Sequence, residues 1–394
     1  TFVIDEKGNV TSSGTVTEDG VVLVEDWPTK IHVSKVDITN QKEVAGAHIQ
    51  IIDAKGKVVE EWDSNGTPHE ITGLNTNETY TLHETIAPDG FTIAADTTFV
   101  IDENGNVTST GTVTQDGIIL VEDAPTKIHV SKVDITNQEE LPGAHIQILD
   151  KDGKVVVEWI STDKPQEIEG LKTNETYTLH ETIAPDGFTI AADTTFVIDE
   201  KGNVTSSGTV TEEGIVLVED WPTSVKVSKV DVTNQKEVAG AHIQIIDKDG
   251  KVVVEWVSTE TPYEIIGLKT NETYTLHETI APDGFTIAAD TTFVIDEKGN
   301  VTSSGTVTQD GIVLVEDAPT KVHVSKVDIT NQKELPGAHI QIIDKDGNVV
   351  EEWDSTETPH EITGLKTNET YTLRETVAPD GYTIAADTTF VIDE

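Results

Sequence analysis

The sequence predicts an all-β protein, a tandem array of small β-sandwich domains. Three observations lead there: repetition at a fixed step of 97 residues, apolar residues that alternate along short runs, and turns rich in Asp, Asn and Gly between those runs. No amphipathic helix pattern of useful length interrupts them.

The repetition is in register throughout. The lysine of SKVD falls at 35, 132, 229 and 326, and the glutamate of E-T-x-A-P-D-G at 84, 181, 278 and 375. TFVIDE both opens and closes the chain. A unit of 97 residues is large enough to be a domain of its own, unlike the short unit of a solenoid. In the first complete unit the alternation predicts strands over 30–38, 46–53, 57–62, 67–72, 79–86, 97–102 and 117–123. The turns between them include DAKG and DENGN, with DKDG in later units. Boundaries are expected at Pro28, Pro125, Pro222 and Pro319, which gives domains 29–125, 126–222 and 223–319. Residues 1–28 then read as the last strands of a preceding repeat, and 320–394 as a domain without its last strands. Short, glycine-free junctions imply a semi-rigid array. Two explanations cover the open ends: a window cut from a longer periodic chain, or assembly in which residues 1–28 of one molecule complete the last domain of another by strand addition.

Composition narrows the function. Against 72 acidic residues stand 26 basic ones, a formal charge of −46. That balance argues against nucleic acid and anionic membrane as partners, since both select basic patches. With no cysteine and no methionine, disulfides and thiolate metal sites are excluded, and the chain suits an exposed extracellular setting. No run is long and apolar enough to insert in a membrane.

Three polar residues per repeat sit where strand alternation calls for apolar ones. In IHVSKVD, Lys35 shares a face with Ile31 and Val33; in YTLHE, Glu84 shares one with Tyr80 and Leu82; in IILVED, Asp123 shares one with Ile119 and Val121. A buried ion triad breaks even at best against apolar replacements, so as a source of stability it is poor. A chemical reading fits better. Burial favours a neutral, nucleophilic lysine and a protonated glutamate beside a second carboxyl, so lysine can attack aspartate and form an amide with loss of water.

At these residues the chain resembles a known family. SKVDITNQKELPGAHIQIIDKDG, YTLHETIAPDGFTIA and VLVEDAPTK are similar to the SpaA-like, Cna B-type domains of Gram-positive surface proteins and pilins. The resemblance runs the length of the chain. It implies a prealbumin-like β-sandwich and a spontaneous isopeptide bond between first and last strands, with the glutamate as catalyst. Carried over, the sets are Lys35–Glu84–Asp123, Lys132–Glu181–Asp220 and Lys229–Glu278–Asp317. Asp26 has no lysine before it, and Lys326 with Glu375 has no aspartate after it, so in an assembly these would join to a preceding and a following unit. Family members often carry Asn at the last position; here it is Asp, and alternation selects Asp123 over Glu122.

Other motifs point to structure. His32, His48 and His83 fall on outward positions or beside turns, and no histidine spacing matches a metal site. DKDG lacks the remaining ligands of a calcium loop and reads as a hairpin turn. The NVT and NET triplets match glycosylation acceptors in a chain rich in threonine. Trp62, Trp159, Trp256 and Trp353 read as strand anchors. Junction residues alternate Trp27, Ala124, Trp221, Ala318, in step with EVAG and ELPG in the loops that follow. Duplication of a two-domain unit explains this without contact; the physical alternative is a junction indole buried beside the next loop's small Ala45.

The function expected is that of a structural, extracellular, cell-surface fibre or stalk, locked by self-made Lys–Asp bonds. It is not a turnover enzyme and needs no cofactor or metal. Its partners are neighbouring repeats and other copies of itself. The alternative is an adhesin whose repeats bind a host or surface ligand; near-identical loops favour the stalk.

Overall fold

A computed structural model describes residues 1–393; Glu394, which ends the closing TFVIDE, lies outside the described residues. Among these, every regular element is a strand. The chain parts into two compact units, one of residues 1–131, 147–180 and 193–218, the other of 132–146, 181–192 and 219–394.

The first unit opens with a small hairpin, Phe2–Ile4 against Val10–Ser12. The first complete repeat follows. Its strands are Lys30–Asp37, Ala45–Asp53, Val58–Asn65, His69–Thr72, Thr79–Ile86, Thr97–Ile101, Val107–Ser109 and Ile118–Asp123. Seven of these answer to the alternating runs. Val107–Ser109 was not expected, because three residues in a run of Thr, Ser and Gly are too few to show alternation.

Two sheets form. In one, Lys30–Asp37 lies between Ile118–Asp123 and His69–Thr72; in the other the order is Val58–Asn65, Ala45–Asp53, Thr79–Ile86, Thr97–Ile101, Val107–Ser109. First and last strands run parallel, with Val121 opposite Lys35 and Asp123 opposite Asp37. Parallel neighbours need a long crossover, and here the whole five-stranded sheet is that crossover. Ile31, Val33, Ile119 and Val121 from one sheet meet Ile49, Ile51, Tyr80, Leu82, Phe99 and Ile101 from the other. Each such side chain, fully buried, contributes about 1.5–3 kcal/mol of apolar burial. Trp62 packs at the edge of this core and stacks on His69, ring centroids 4.4 Å apart. The Asp turn forms as the sequence requires: Asp53 Oδ1 accepts from the backbone N–H groups of Lys55 and Lys57, and Gly56 takes φ +81°.

The second repeat has the same two sheet orders. In the second unit, the third repeat does too, with Val315 opposite Lys229 in the parallel pair. The fourth repeat has a two-stranded sheet, Lys321–Val324 with His360–Thr363, and a four-stranded one.

Successive repeats touch through the Pro-Asp-Gly turn. In the first unit, Asp89 pairs with Lys172 at 2.8 Å, and Thr126 bridges the two repeats, its N–H donating to the Gly90 carbonyl (2.9 Å) and its Oγ1 to that of Leu171 (2.5 Å). In the second unit Asp186 pairs with Lys269 and Asp283 with Lys366, and Thr223 and Thr320 take the bridging place. Gly90 (φ +86°) lies so close to the next repeat that a Cβ there would stand 2.8 Å from the Gly170 carbonyl oxygen. These contacts correct the expectation for the alternating junction residues. Trp27 is 93% exposed and Trp221 60%, so no buried indole stiffens those junctions. What Ala124, Trp221 and Ala318 supply is a backbone carbonyl, accepting from the N–H of Thr92, Thr189 and Thr286 at 2.9–3.0 Å. A backbone contact is indifferent to side-chain type, which lets Trp and Ala alternate without consequence for it.

Candidate bond-forming site

The three out-of-pattern residues of each complete repeat converge. Lys35 projects from the first strand toward the facing sheet, where Ile49 sets the register of Glu84. Its Nζ lies 3.1 Å from Glu84 Oε1 and meets Asp123 Oδ1. All three side chains are 1% exposed or less. In the second repeat Lys132 is 3.1 Å from Glu181 and meets Asp220; in the third Lys229 is 3.1 Å from Glu278 and meets Asp317. Alternation alone had selected Asp123 over Glu122, and Glu122 indeed faces outward, accepting from Gln41 and Thr112.

The electrostatics follow from burial. Desolvation pushes the Asp123 carboxyl up to about 8; the charge of Lys35 works against this and that of Glu84 adds to it. Asp220 is likewise pushed up to about 8, and Asp317 to about 7. Burial therefore favours the neutral acid form at each of these aspartates. Apart from the ammonium group that Oδ1 meets, the Asp123 carboxyl oxygens have no hydrogen-bond partner among the described residues. Glu84 is held more firmly. Its Oε2 accepts from the Ala94 N–H at 2.6 Å, as Glu181 does from Ala191 (2.7 Å) and Glu278 from Ala288 (2.6 Å). Sequence reasoning missed these alanines, because a backbone donor carries no residue-type signal.

In the fourth repeat Lys326 and Glu375 also meet, at 3.0 Å, but their side chains are 15% and 4% exposed. Asp26, the unmatched aspartate near the start, is exposed. Most of the histidines sit in surface pairs with carboxylates, as His48 does with Asp63 and His83 with Asp96, each at 2.7 Å. The hydrogen bond that the His48 ring donates to the Asp63 carboxylate raises the His48 pKa.

Tandem all-β domains, the three complete ones each with a buried lysine held between a glutamate and an aspartate, define the class. The model of the SpaA prealbumin-like fold domain matches residues 29–115, 126–212, 223–309 and 320–394, and the chain belongs to that family. Among solved structures it is similar to the TIE protein of Bacillus anthracis, at 18% identity over 95% of this chain and 74% of that one, TM-score 0.40. A variant of the shaft pilin SpaA from Lactobacillus rhamnosus GG matches at 15% identity over 50% of this chain and 98% of that one, TM-score 0.22. BcpA, the major pilin subunit of Bacillus cereus, matches at 14% over 74% and 100%, TM-score 0.29. No curated protein matches.

Proposed function

We propose that the chain is a structural stalk or fibre of the cell surface whose complete repeats lock themselves with amide bonds, Lys35 to Asp123, Lys132 to Asp220 and Lys229 to Asp317. One observation carries this: in three repeats the same lysine, glutamate and aspartate meet at 1% exposure or less. As standing ions they would cost several kcal/mol each in desolvation; joined, two charges vanish. Lysine Nζ, as a neutral amine, attacks Cγ of the neutral aspartic acid. The Nζ–Cγ bond forms and the Cγ–OH bond breaks. The hydroxyl leaves as water with a proton from nitrogen, relayed by the glutamate 3.1 Å away. The glutamate returns to its starting state after one turnover. Because first and last strands are neighbours, such a bond carries tension across the repeat without loading its hydrogen bonds. Family membership supports the cell-surface setting.

Intact mass under denaturing conditions tests it. The mass is expected to fall short of the sequence mass by three waters, and Glu278→Ala to restore one. A mass equal to that of the unmodified sequence would overturn the chemistry.

A second reading rests on the fourth repeat. There a cavity of about 260 Å³, lined by Lys326, Glu375, Val324, Leu373, Ala385 and Thr388 among others, opens beside the lysine. Val21–Asp26 of a second copy, VVLVED, matches the strand that fills this place elsewhere, and would bring Asp26 to Lys326. The 394-residue chain should then give ladders on denaturing electrophoresis that Asp26→Ala removes; monomers alone would refute this reading.

A further inference from the structure

In each of the first two repeats, four consecutive residues after the Pro-Asp-Gly turn make four different contacts. In the second repeat, Phe188 bridges to Pro222, and Thr189 N–H donates to the Trp221 carbonyl, next to Asp220. Ile190 N–H donates to the carbonyl of Glu297, in the following repeat, at 2.9 Å. Ala191 N–H donates to Glu181 Oε2 at 2.7 Å. The first repeat does the same: Phe91 bridges to Pro125, Thr92 binds the Ala124 carbonyl, Ile93 the Glu200 carbonyl of the following repeat, and Ala94 binds Glu84. One extended segment thus touches the aspartate's neighbour, the next repeat and the glutamate in turn.

We propose that the following repeat is a positioning element for the bond in the repeat before it, through this segment. The inference rests on the bond-forming reading above. Ile190 and Ala191 are adjacent, so a grip on the Ile190 amide fixes the direction of the Ala191 N–H. That N–H fixes the carboxylate that relays the proton. The following repeat holds the segment at two further points, the Asp186–Lys269 pair at 2.8 Å and the turn at Gly299, where a Cβ would stand 3.2 Å from the Thr189 methyl. In the fourth repeat the equivalent segment is open, with Tyr382 45% and Ile384 58% exposed, yet Ala385 N–H still reaches Glu375 at 2.5 Å. Docking therefore narrows the excursions of a contact that the repeat makes by itself, and its effect falls on rate. Covalent locking then proceeds fastest where the next repeat has already folded, so the array closes behind the advancing fold.

The test uses the full chain made by cell-free synthesis, quenched in acid denaturant at intervals and digested, with each Lys–Asp bridged peptide quantified by mass. The double variant Lys269→Asp/Gly299→Ala changes only the following repeat. It should slow closure of Lys132–Asp220 about fivefold, the rate equivalent of one lost contact of ~1 kcal/mol. Lys35–Asp123 should close at the wild-type rate, and so should Lys229–Asp317, which also reports that the altered repeat folds. Lys269→Arg alone should restore the pair and close the second repeat normally. Second-repeat closure at the wild-type rate in the double variant would overturn the coupling and leave the chemistry standing. Absence of water loss in every repeat would overturn both.

Discussion

The third and fourth repeats carry the same lysine and glutamate in different surroundings. In the third, Lys229 and Glu278 are 1% and 0% exposed; in the fourth, Lys326 and Glu375 are 15% and 4% exposed. The first strand spans Ser224–Asp231 in one and only Lys321–Val324 in the other, stopping short of the lysine. Yet the lysine–glutamate distance is 3.1 Å in one and 3.0 Å in the other. The lysine–glutamate contact therefore does not depend on the last strand. What the strand Val313–Asp317 adds is desolvation: it closes the core with Val313 and Val315 and brings Asp317 into contact. Under the proposed chemistry, this burial is what would make the ion pair reactive.

The largest expected effect follows directly. Lys229→Met leaves Glu278 and Asp317 buried without their cation and removes the proposed bond, so the third repeat should lose about 3–5 kcal/mol. Lys326→Met breaks a pair that is less completely desolvated and should cost the fourth repeat less, about 1–3 kcal/mol. Amide exchange followed in rising urea, resolved by repeat, measures both. Equal losses would show that the last strand does not create the difference.

Much of this was legible in the sequence because strand alternation is a two-state signal. Lys35, Glu84 and Asp123 each broke it in a strand otherwise apolar on one face, and in-register repetition made each break visible several times over. The family resemblance supplied the pairing of first and last strands, which alternation cannot give. What stayed hidden lies in the backbone. The Ala94 N–H that holds Glu84, the Ile93 N–H that reaches the next repeat and the carbonyls of Ala124 and Trp221 depend on chain path, not on side-chain type. The junction indoles misled for the same reason: a large apolar residue at a boundary invites a packing account, whereas Trp221 uses its carbonyl and stays 60% exposed.

Acid titration sharpens the comparison further. Glu278→Gln should leave Lys229 and Asp317 unjoined. Burial is the first cause that holds the Asp317 carboxyl up, at about 7 against 3.8 for the free residue. A raised folded pKa means that the folded state binds the proton more tightly. This contribution is complete below about pH 4 and is lost as pH rises toward 7, earlier than in the native site because the charge and hydrogen bond of Glu278 no longer add to the rise. The third repeat of this variant should therefore unfold at progressively lower denaturant between pH 4 and 7. The fourth repeat, with no aspartate at its lysine, should not follow it over that window. Midpoints for the third repeat that stay flat across the window would show that Asp317 is not held neutral by burial.

The smallest effect separates contact from backbone strain. Gly284 and Gly381 occupy the same place in the Pro-Asp-Gly turn of the two repeats, at φ +88° and +84°. A Cβ on Gly284 would stand 2.7 Å from the Gly364 carbonyl oxygen of the next repeat, whereas one on Gly381 meets nothing within 4 Å among the described residues. Alanine at either site incurs the left-handed backbone penalty of about 1 kcal/mol. Only Gly284→Ala adds an overlap with a backbone atom that cannot rotate away, so it should cost about 1–3 kcal/mol more and release the Asp283–Lys366 pair, now at 2.6 Å. Faster amide exchange at Thr320 and Gly364, whose N–H groups bind the carbonyls of Gly284 and Thr320 at 2.9 and 3.1 Å, would report that release. If Gly381→Ala proved as costly as Gly284→Ala, the close approach of Gly284 to the next repeat would be irrelevant to stability, and the turn would matter for its own conformation alone.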